Sequence, residues 1–405
     1  MQLDTRAVWV VCLLGAAAGV GPSRAAAEPT ATTRSNRPAP EPKAPDRPPA
    51  IDLSRVTVTT DRATAPLRAG GTAALTLQPS LQRTADRLLR EARPRAGAIV
   101  AADARTGNLL VWSSLGLGSA GILGTRAPSA SVFKIVTTAA LLELDGVHPA
   151  TRVCHSGGTG GIERRHLEVP HGDDVQCHPF WQALGHSRNA AYAQLVTRYL
   201  MRDELITMGK RFGFGDDLPF DVAAPLGRLE VPYNDLAFAR TATGFQGSDL
   251  TPLGALELAF VVATGGRKPR LRVVERAGDY VAPSQLEIEG RVIEVRTAAN
   301  LRWMMEVTVE QGTSADAFTD EAGRPHLRDV KVAGKTGTLQ PDPAGPTTMW
   351  FVGFAPSRDP RLVVSVLLEN GPLWRRKANE LARDLFRAYF AGRGFRGITA
   401  PYADG

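Results

Sequence analysis

The chain has 405 residues, of which 43% are hydrophobic and 22% charged. This is ordinary globular composition with ample material for a large core. A net charge of +7 and a pI near 9.6 suit an anionic partner such as a membrane surface or a cell-wall polymer, but no dense Lys/Arg block or basic-aromatic interleaving is present, which argues against nucleic acid.

The first element is a targeting segment. Arg6 precedes an apolar run, Ala7 to Gly21, that is short for a membrane span of roughly twenty residues. Ala25-Ala-Ala27 then offers a small-residue cleavage site. Residues 1–27 therefore read as a signal peptide, with an uncleaved inner-membrane anchor as the alternative, since Asp4 makes the leading segment less positive than usual. Either way the rest is extracytoplasmic, in a periplasm or its equivalent. Residues 28–70 read as a Pro-rich linker and a short lead-in, with one short strand expected at Val56–Thr60.

Periodicity then predicts a helix over Ser80–Arg93, with Leu81, Ala85, Leu88, Leu89 and Ala92 on one face and Ser80 as its N-cap. Ala96–Asp103 and Leu109–Ser113 flank Arg105-Thr-Gly-Asn108 as a strand, a tight turn and a strand. A turn at Ala127 runs into an apolar helix that stops at Asp145-Gly146. Further helices are expected at 181–200 and Pro252–Ala263. Strands follow at Val330–Thr338, Thr348–Phe354 and Arg361–Glu369, and a last helix at Lys377–Phe390 has Leu381, Leu385, Phe386 and Tyr389 on one face. Strands near both ends with helices between predict an antiparallel sheet covered by the terminal helices, plus a helical insertion.

Ser131 and Lys134 lie one turn apart on the helix that begins after Ala127, on the same face. A serine hydroxyl becomes a nucleophile when a base takes its proton, and a lysine in an apolar helix can be that base because burial lowers its pKa. Alone, Ser-x-x-Lys arises by chance about once in a chain this long, and a surface serine on a core helix accounts for it equally well. Two further short motifs follow in order. Ser187-Arg-Asn189 lies within the 181–200 helix region, and Lys335-Thr-Gly-Thr338 lies on a predicted strand.

With these three motifs, the sequence resembles the transpeptidase domain of penicillin-binding proteins, in the serine D,D-peptidase and β-lactamase superfamily. The resemblance runs from about Leu75 to Phe390 and includes Phe212-Gly-Phe-Gly, Gly244-Phe-Gln-Gly247, Gln311-Gly-Thr313 and Trp350-Phe-Val-Gly-Phe-Ala-Pro356. It departs from the family at Gln78, where an Asp is usual, and in lacking a glycosyltransferase domain. It implies an α/β fold with a five-stranded, mainly antiparallel sheet flanked by terminal helices and an all-α subdomain. A catalytic domain would then span 71–392, with a tail at 393–405.

The resemblance also implies roles. Ser131 would attack the D-alanyl-D-alanine carbonyl of a peptidoglycan stem peptide, Lys134 would take its proton and Ser187 would relay a proton to the leaving amine. Asn189 would hold the peptide amide, and Lys335, Thr336, Gly337 and Thr338 would bind the terminal carboxylate. β-Lactams would be inhibitors, no cofactor or metal is implied, and the chain would act as a monomer alongside other cell-wall synthesis proteins. A β-lactamase is the rival, with Glu230 of Arg228-Leu-Glu-Val-Pro-Tyr-Asn234 as deacylating base; a non-catalytic sensor of β-lactams or peptidoglycan is the other. Cys154 and Cys177, the two cysteines after the leader, read as one disulfide in an oxidising compartment, against free thiols or a zinc site shared with the nearby His155, His166, His171, His178 and His186.

Overall fold

The hairpin expected around Arg105–Asn108 starts the central sheet. Its strands, Ala96–Asp103 (β1) and Leu109–Leu115 (β2), are joined by three strands from the other end of the chain: Ala333–Leu339 (β3), Thr347–Ala355 (β4) and Leu362–Asn370 (β5). The spatial order is β3-β4-β5-β1-β2, antiparallel throughout, with Lys335 opposite Val352 and Thr338 opposite Met349. The structure is a computed structural model; it describes residues 47–118, 121–144, 146–340, 345–371, 374–391 and 393. The leader at 1–27, most of the Pro-rich stretch and nearly all of the C-terminal tail lie outside the described residues.

The sheet is buried on both faces, so its strands are apolar at successive positions rather than alternating. On the outer face Ile99, Ala101, Val364, Val366 and Leu368 pack against Pro79–Ala92 (α1) and the last helix, Ala378–Ala391. The stripes of Leu81, Ala85, Leu88 and Leu89 and of Leu381, Leu385 and Phe386 supply that contact. On the inner face Ala98, Val100, Trp350, Val352 and Leu367 meet the helical part of the molecule.

That part comprises Lys134–Leu142 (α2), Phe180–Gly185 (α3), Asn189–Tyr199 (α4), Arg202–Phe212 (α5), Asp235–Ala242 (α6), Pro252–Ala263 (α7) and Val295–Glu310 (α8); the last helix, Ala378–Ala391, is α9. Helix α7 is apolar nearly all round and buried from Pro252 to Val262, because β4 and β5 cover one side and α8 another. Every residue of α2 is buried.

Three local expectations need correcting. Helix α1 is capped at Gln78 rather than Ser80, because Pro79 takes the first helical position, where its missing N–H costs nothing. The single helix expected over 181–200 is two, α3 and α4, broken where Ser187 adopts φ +55°. The lead-in is more ordered than its one expected strand. Thr57–Val58, Ala63–Pro66 and Thr72–Leu75 form a sheet with Val274–Ala277 and Tyr280–Val281. Among the described residues no helix is long and apolar enough to cross a membrane.

Candidate active site

Ser131 sits in a 3-10 turn, Ala130–Phe133, that feeds directly into α2. Ala130 is held at φ +47°, a conformation few non-glycine residues adopt, so its surroundings must impose it. They do so from three sides. The Trp350 indole N–H donates to Pro128 O at 2.8 Å. Ser129 N donates to Ser248 O at 3.1 Å, and the hydroxyls of the same two residues lie 2.5 Å apart. Gly244, at φ +86°, presses its bare Cα against the turn: a Cβ there would lie 1.8 Å from Ala130 O. On the opposite side β3 comes so close that a Cβ on Gly337 would lie 3.3 Å from Ser131 N. Ser131 is thus on a preset backbone rather than a free loop.

The Lys134 side chain is wholly buried. Its Nζ lies 3.0 Å from Ser131 Oγ, 3.1 Å from Ser187 Oγ and 3.2 Å from Ser187 O, and it donates to Asn189 Oδ1. The Asn189 amide is oriented by its other end, which donates to Thr159 O at 2.5 Å and Gly160 O at 2.9 Å. Ser187 O and Asn189 Oδ1 can only accept, so they take two N–H groups of the amine. The remaining valence faces the two serine hydroxyls, where a neutral amine presents its lone pair. Burial, followed by the charge of Lys335, holds the Lys134 pKa well below the ordinary lysine range. A buried amine with a lowered pKa, in contact with Ser131 Oγ, is placed where a general base would act.

Lys335 is equally buried, and its Nζ lies 3.1 Å from Ser187 Oγ and donates to Thr336 O at 2.8 Å. Desolvation lowers its pKa to about 7. Ser187 Oγ therefore bridges the two amines, and the left-handed backbone between α3 and α4 aims it there. Ser131, Lys134, Ser187, Asn189 and Lys335 form one connected cluster. Thr336, Thr338, Ser131, Ser187 and Asn189 line a cleft of about 440 Å³.

The same cleft holds residues the motifs did not name. Thr313 places its hydroxyl 2.5 Å from that of Thr336; its Gln-Gly-Thr setting was visible, its role was not. Phe245, from the Gly244-Phe-Gln-Gly247 stretch, also lines it, as do Thr159, Trp374, Lys377 and Asn379, which carry no local signature because only the fold brings them together. Glu230 is exposed and is not among the residues lining the cleft.

Cys154 and Cys177 are joined by a disulfide across a short hairpin, Arg152–His155 with Gln176–Pro179. His155 and His178 pack ring to ring at 5.9 Å, His155 Nδ1 lies 2.9 Å from Gly157 O, and His166 Nδ1 accepts from Glu163 N at 2.9 Å. Among the described residues no group of three or more His, Cys, Asp or Glu side chains is placed to hold a metal ion.

A family model of the penicillin binding protein transpeptidase domain matches residues 97–390. The peptidoglycan D,D-transpeptidase PbpA of Mycobacterium tuberculosis is 28% identical over 349 residues, covering 75% of this chain and 68% of that protein. The stage V sporulation protein D of Bacillus subtilis is 26% identical over 276 residues, covering 65% of this chain and 39% of that protein. Among solved structures, an imipenem acyl-enzyme complex of penicillin-binding protein A from M. tuberculosis superimposes with a TM-score of 0.63 at 24% identity, over 79% of this chain and 80% of that one. That likeness shows the fold.

Proposed function

Because the chain belongs to the penicillin-binding protein transpeptidase family, we propose that it is a peptidoglycan D,D-transpeptidase that works through an acyl-enzyme on Ser131. The observation that carries this reading is the contact of the buried Lys134 amine with Ser131 Oγ at 3.0 Å. In the first step Ser131 Oγ attacks the carbonyl of the penultimate D-alanine of a stem peptide, and its proton passes to Lys134 Nζ. The oxyanion forms where β3 lies against Ser131 N–H, and backbone donors there would contribute about 2.7–4 kcal/mol each. The C–N bond breaks as Ser187 passes a proton to the departing D-alanine nitrogen, the proton being replenished from Lys134 or Lys335, both in contact with Ser187 Oγ. An amine of a second stem peptide then attacks the ester and gives its proton to Lys134; the bond to Ser131 Oγ breaks, and Lys134 returns the proton to that oxygen, whereas water in place of the amine would make the chain a D,D-carboxypeptidase. Thr336 and Thr338 on β3 hold the terminal carboxylate end, with Lys335 behind them on Ser187 Oγ, and Gly337 lets β3 approach the turn.

The β-lactamase reading requires a base aimed at the ester, and the exposed Glu230, outside the cleft, does not supply one. A sensor acylated by β-lactams would use the same serine and base, and transfer of the acyl group to an amine acceptor separates it from this reading. The reaction belongs outside the cytoplasm, where its polymer lies. There residues 1–27 serve as the export signal, 28–70 as linker and lead-in, 71–392 as the catalytic unit and 393–405 as a tail. The disulfide suits that compartment.

The test is covalent labelling with a fluorescent penicillin. The adduct should map to Ser131, be absent in Ser131→Ala, persist for minutes or longer, and keep its lifetime in Glu230→Gln. Release of D-alanine from a D-Ala-D-Ala peptide, with an amine acceptor forming a new amide, completes the assignment. Rapid cephalosporin turnover that Glu230→Gln blocks would replace this reading with the β-lactamase one.

A further inference from the structure

The two motif lysines are withdrawn from the cleft that their chemistry serves. Lys134 and Lys335 are both fully buried, both held on Ser187, and neither lines the cleft wall. Among the described residues lining the cleft the one cationic side chain is Lys377, which is exposed and immediately precedes α9. Its neighbour in the first turn of α9, Asn379, is buried and also lines the cleft. Asn379 Nδ2 donates to Ser314 Oγ at 3.1 Å, while Asn379 Oδ1 is buried with no hydrogen-bond partner among the described residues. Ser314 adjoins Thr313, whose hydroxyl meets that of Thr336. A polar wall therefore runs from the hydroxyls of β3, through Thr313 and Ser314, to Asn379 and Lys377. Trp374, 44% exposed, flanks it with an apolar face.

We infer that Lys377, supported by this wall, binds a carboxylate of the stem peptide and so sets which peptides the cleft accepts. A carboxylate placed against the β3 hydroxyls lies at the end of the cleft these residues share, and hydroxyls alone leave its charge unpaired. An exposed ammonium answers that charge without the desolvation cost that weakens Lys335. The carboxylate belongs either to the donor's terminal D-alanine or to the amino-acid-type head of the acceptor. The inference rests on the acyl-transfer function proposed above.

The experiment compares wild-type protein, Lys377→Gln and Lys377→Arg. A donor thioester ending in a free carboxylate is set against its carboxamide, and a D-amino acid acceptor against the corresponding amino acid amide. If the donor carboxylate is bound, Lys377→Gln slows acylation of Ser131 by the carboxylate donor about ten- to a hundredfold, as for a lost charge-assisted hydrogen bond, and spares the carboxamide. If the acceptor carboxylate is bound, acylation is unchanged and transfer to the D-amino acid falls relative to hydrolysis, while transfer to the amide does not. In both arms Lys377→Arg retains most of the wild-type preference. Equal losses for charged and neutral partners, or no change in either, overturn the inference while leaving the acyl-transfer reading intact. Wild-type protein that neither donor acylates overturns the function itself.

Discussion

Glu257 offers the sharpest energetic test of the fold. It is the one carboxylate in α7, it is fully buried, and neither of its oxygens has a hydrogen-bond partner among the described residues. Burial pushes its pKa from 4.5 to about 8, and the charge of Lys268 offsets only part of that. In the unfolded chain the carboxyl ionises near pH 4.5, so between there and pH 8 unfolding releases a proton. The native state is therefore least penalised below pH 4.5, loses stability as pH rises, and reaches its full penalty above pH 8. At 1.36 kcal/mol per pKa unit the loss is about 3 kcal/mol at pH 7 and about 5 kcal/mol above pH 8. Glu257→Gln keeps the shape and cannot ionise. It should match wild type near pH 4.5 and exceed it by those amounts at pH 7 and pH 9. Urea denaturation of both proteins at each pH measures this. Lys134 and Lys335, whose lowered pKa values make stability rise with pH, are common to both and cancel in the difference. A stability difference that stays constant from pH 4.5 to pH 9 would refute the reasoning.

Lys134→Ala should lower the rate of Ser131 acylation by penicillin about a hundred- to ten-thousandfold, the usual loss on removing a general base, with the thermal midpoint measured alongside to exclude unfolding. Gly244→Ala should cut acylation by about a hundredfold with the cleft otherwise intact, since a Cβ 1.8 Å from Ala130 O displaces the turn that carries Ser131. An unchanged rate would mean that the turn is not held from that side. Removing the disulfide with Cys154→Ser should cost about 3 kcal/mol, since the bond closes a loop with a sequence separation of 23. Linked peptides in unreduced wild-type protein would confirm the bond, and denaturation midpoints would measure its worth.

The stripes of α1 and α9 were readable because each buries one clean face against a sheet. The strands β1, β4 and β5 were readable as apolar runs bounded by turns. Helix α8 was harder to see: Thr297, Glu306 and Thr308 are buried alongside Leu301, Met304 and Met305, which blurs its apolar stripe. The break at Ser187 has no local cause at all. Nothing in Gly185-His-Ser-Arg demands a left-handed serine; two lysines, one from α2 and one from β3, hold it there. The motifs could be named from their spacing, but Lys377 and Asn379 enter the cleft only because α9 returns beside it from the far end of the chain.

The Asn189 amide, finally, is already in use. It donates to the peptide carbonyls of Thr159 and Gly160, while Ala190 N donates to that of Gly158. A backbone segment with glycine at four of five positions, 157–161, thus occupies the donors a stem-peptide carbonyl would seek. The occupant is tethered, so it competes at a fixed effective concentration that no dilution lowers. A peptide that used these donors would bind with its intrinsic affinity scaled by the fraction of time the segment stood aside. The Cys154–Cys177 bond closes the loop that contains this segment, and so limits how far it can swing from Asn189.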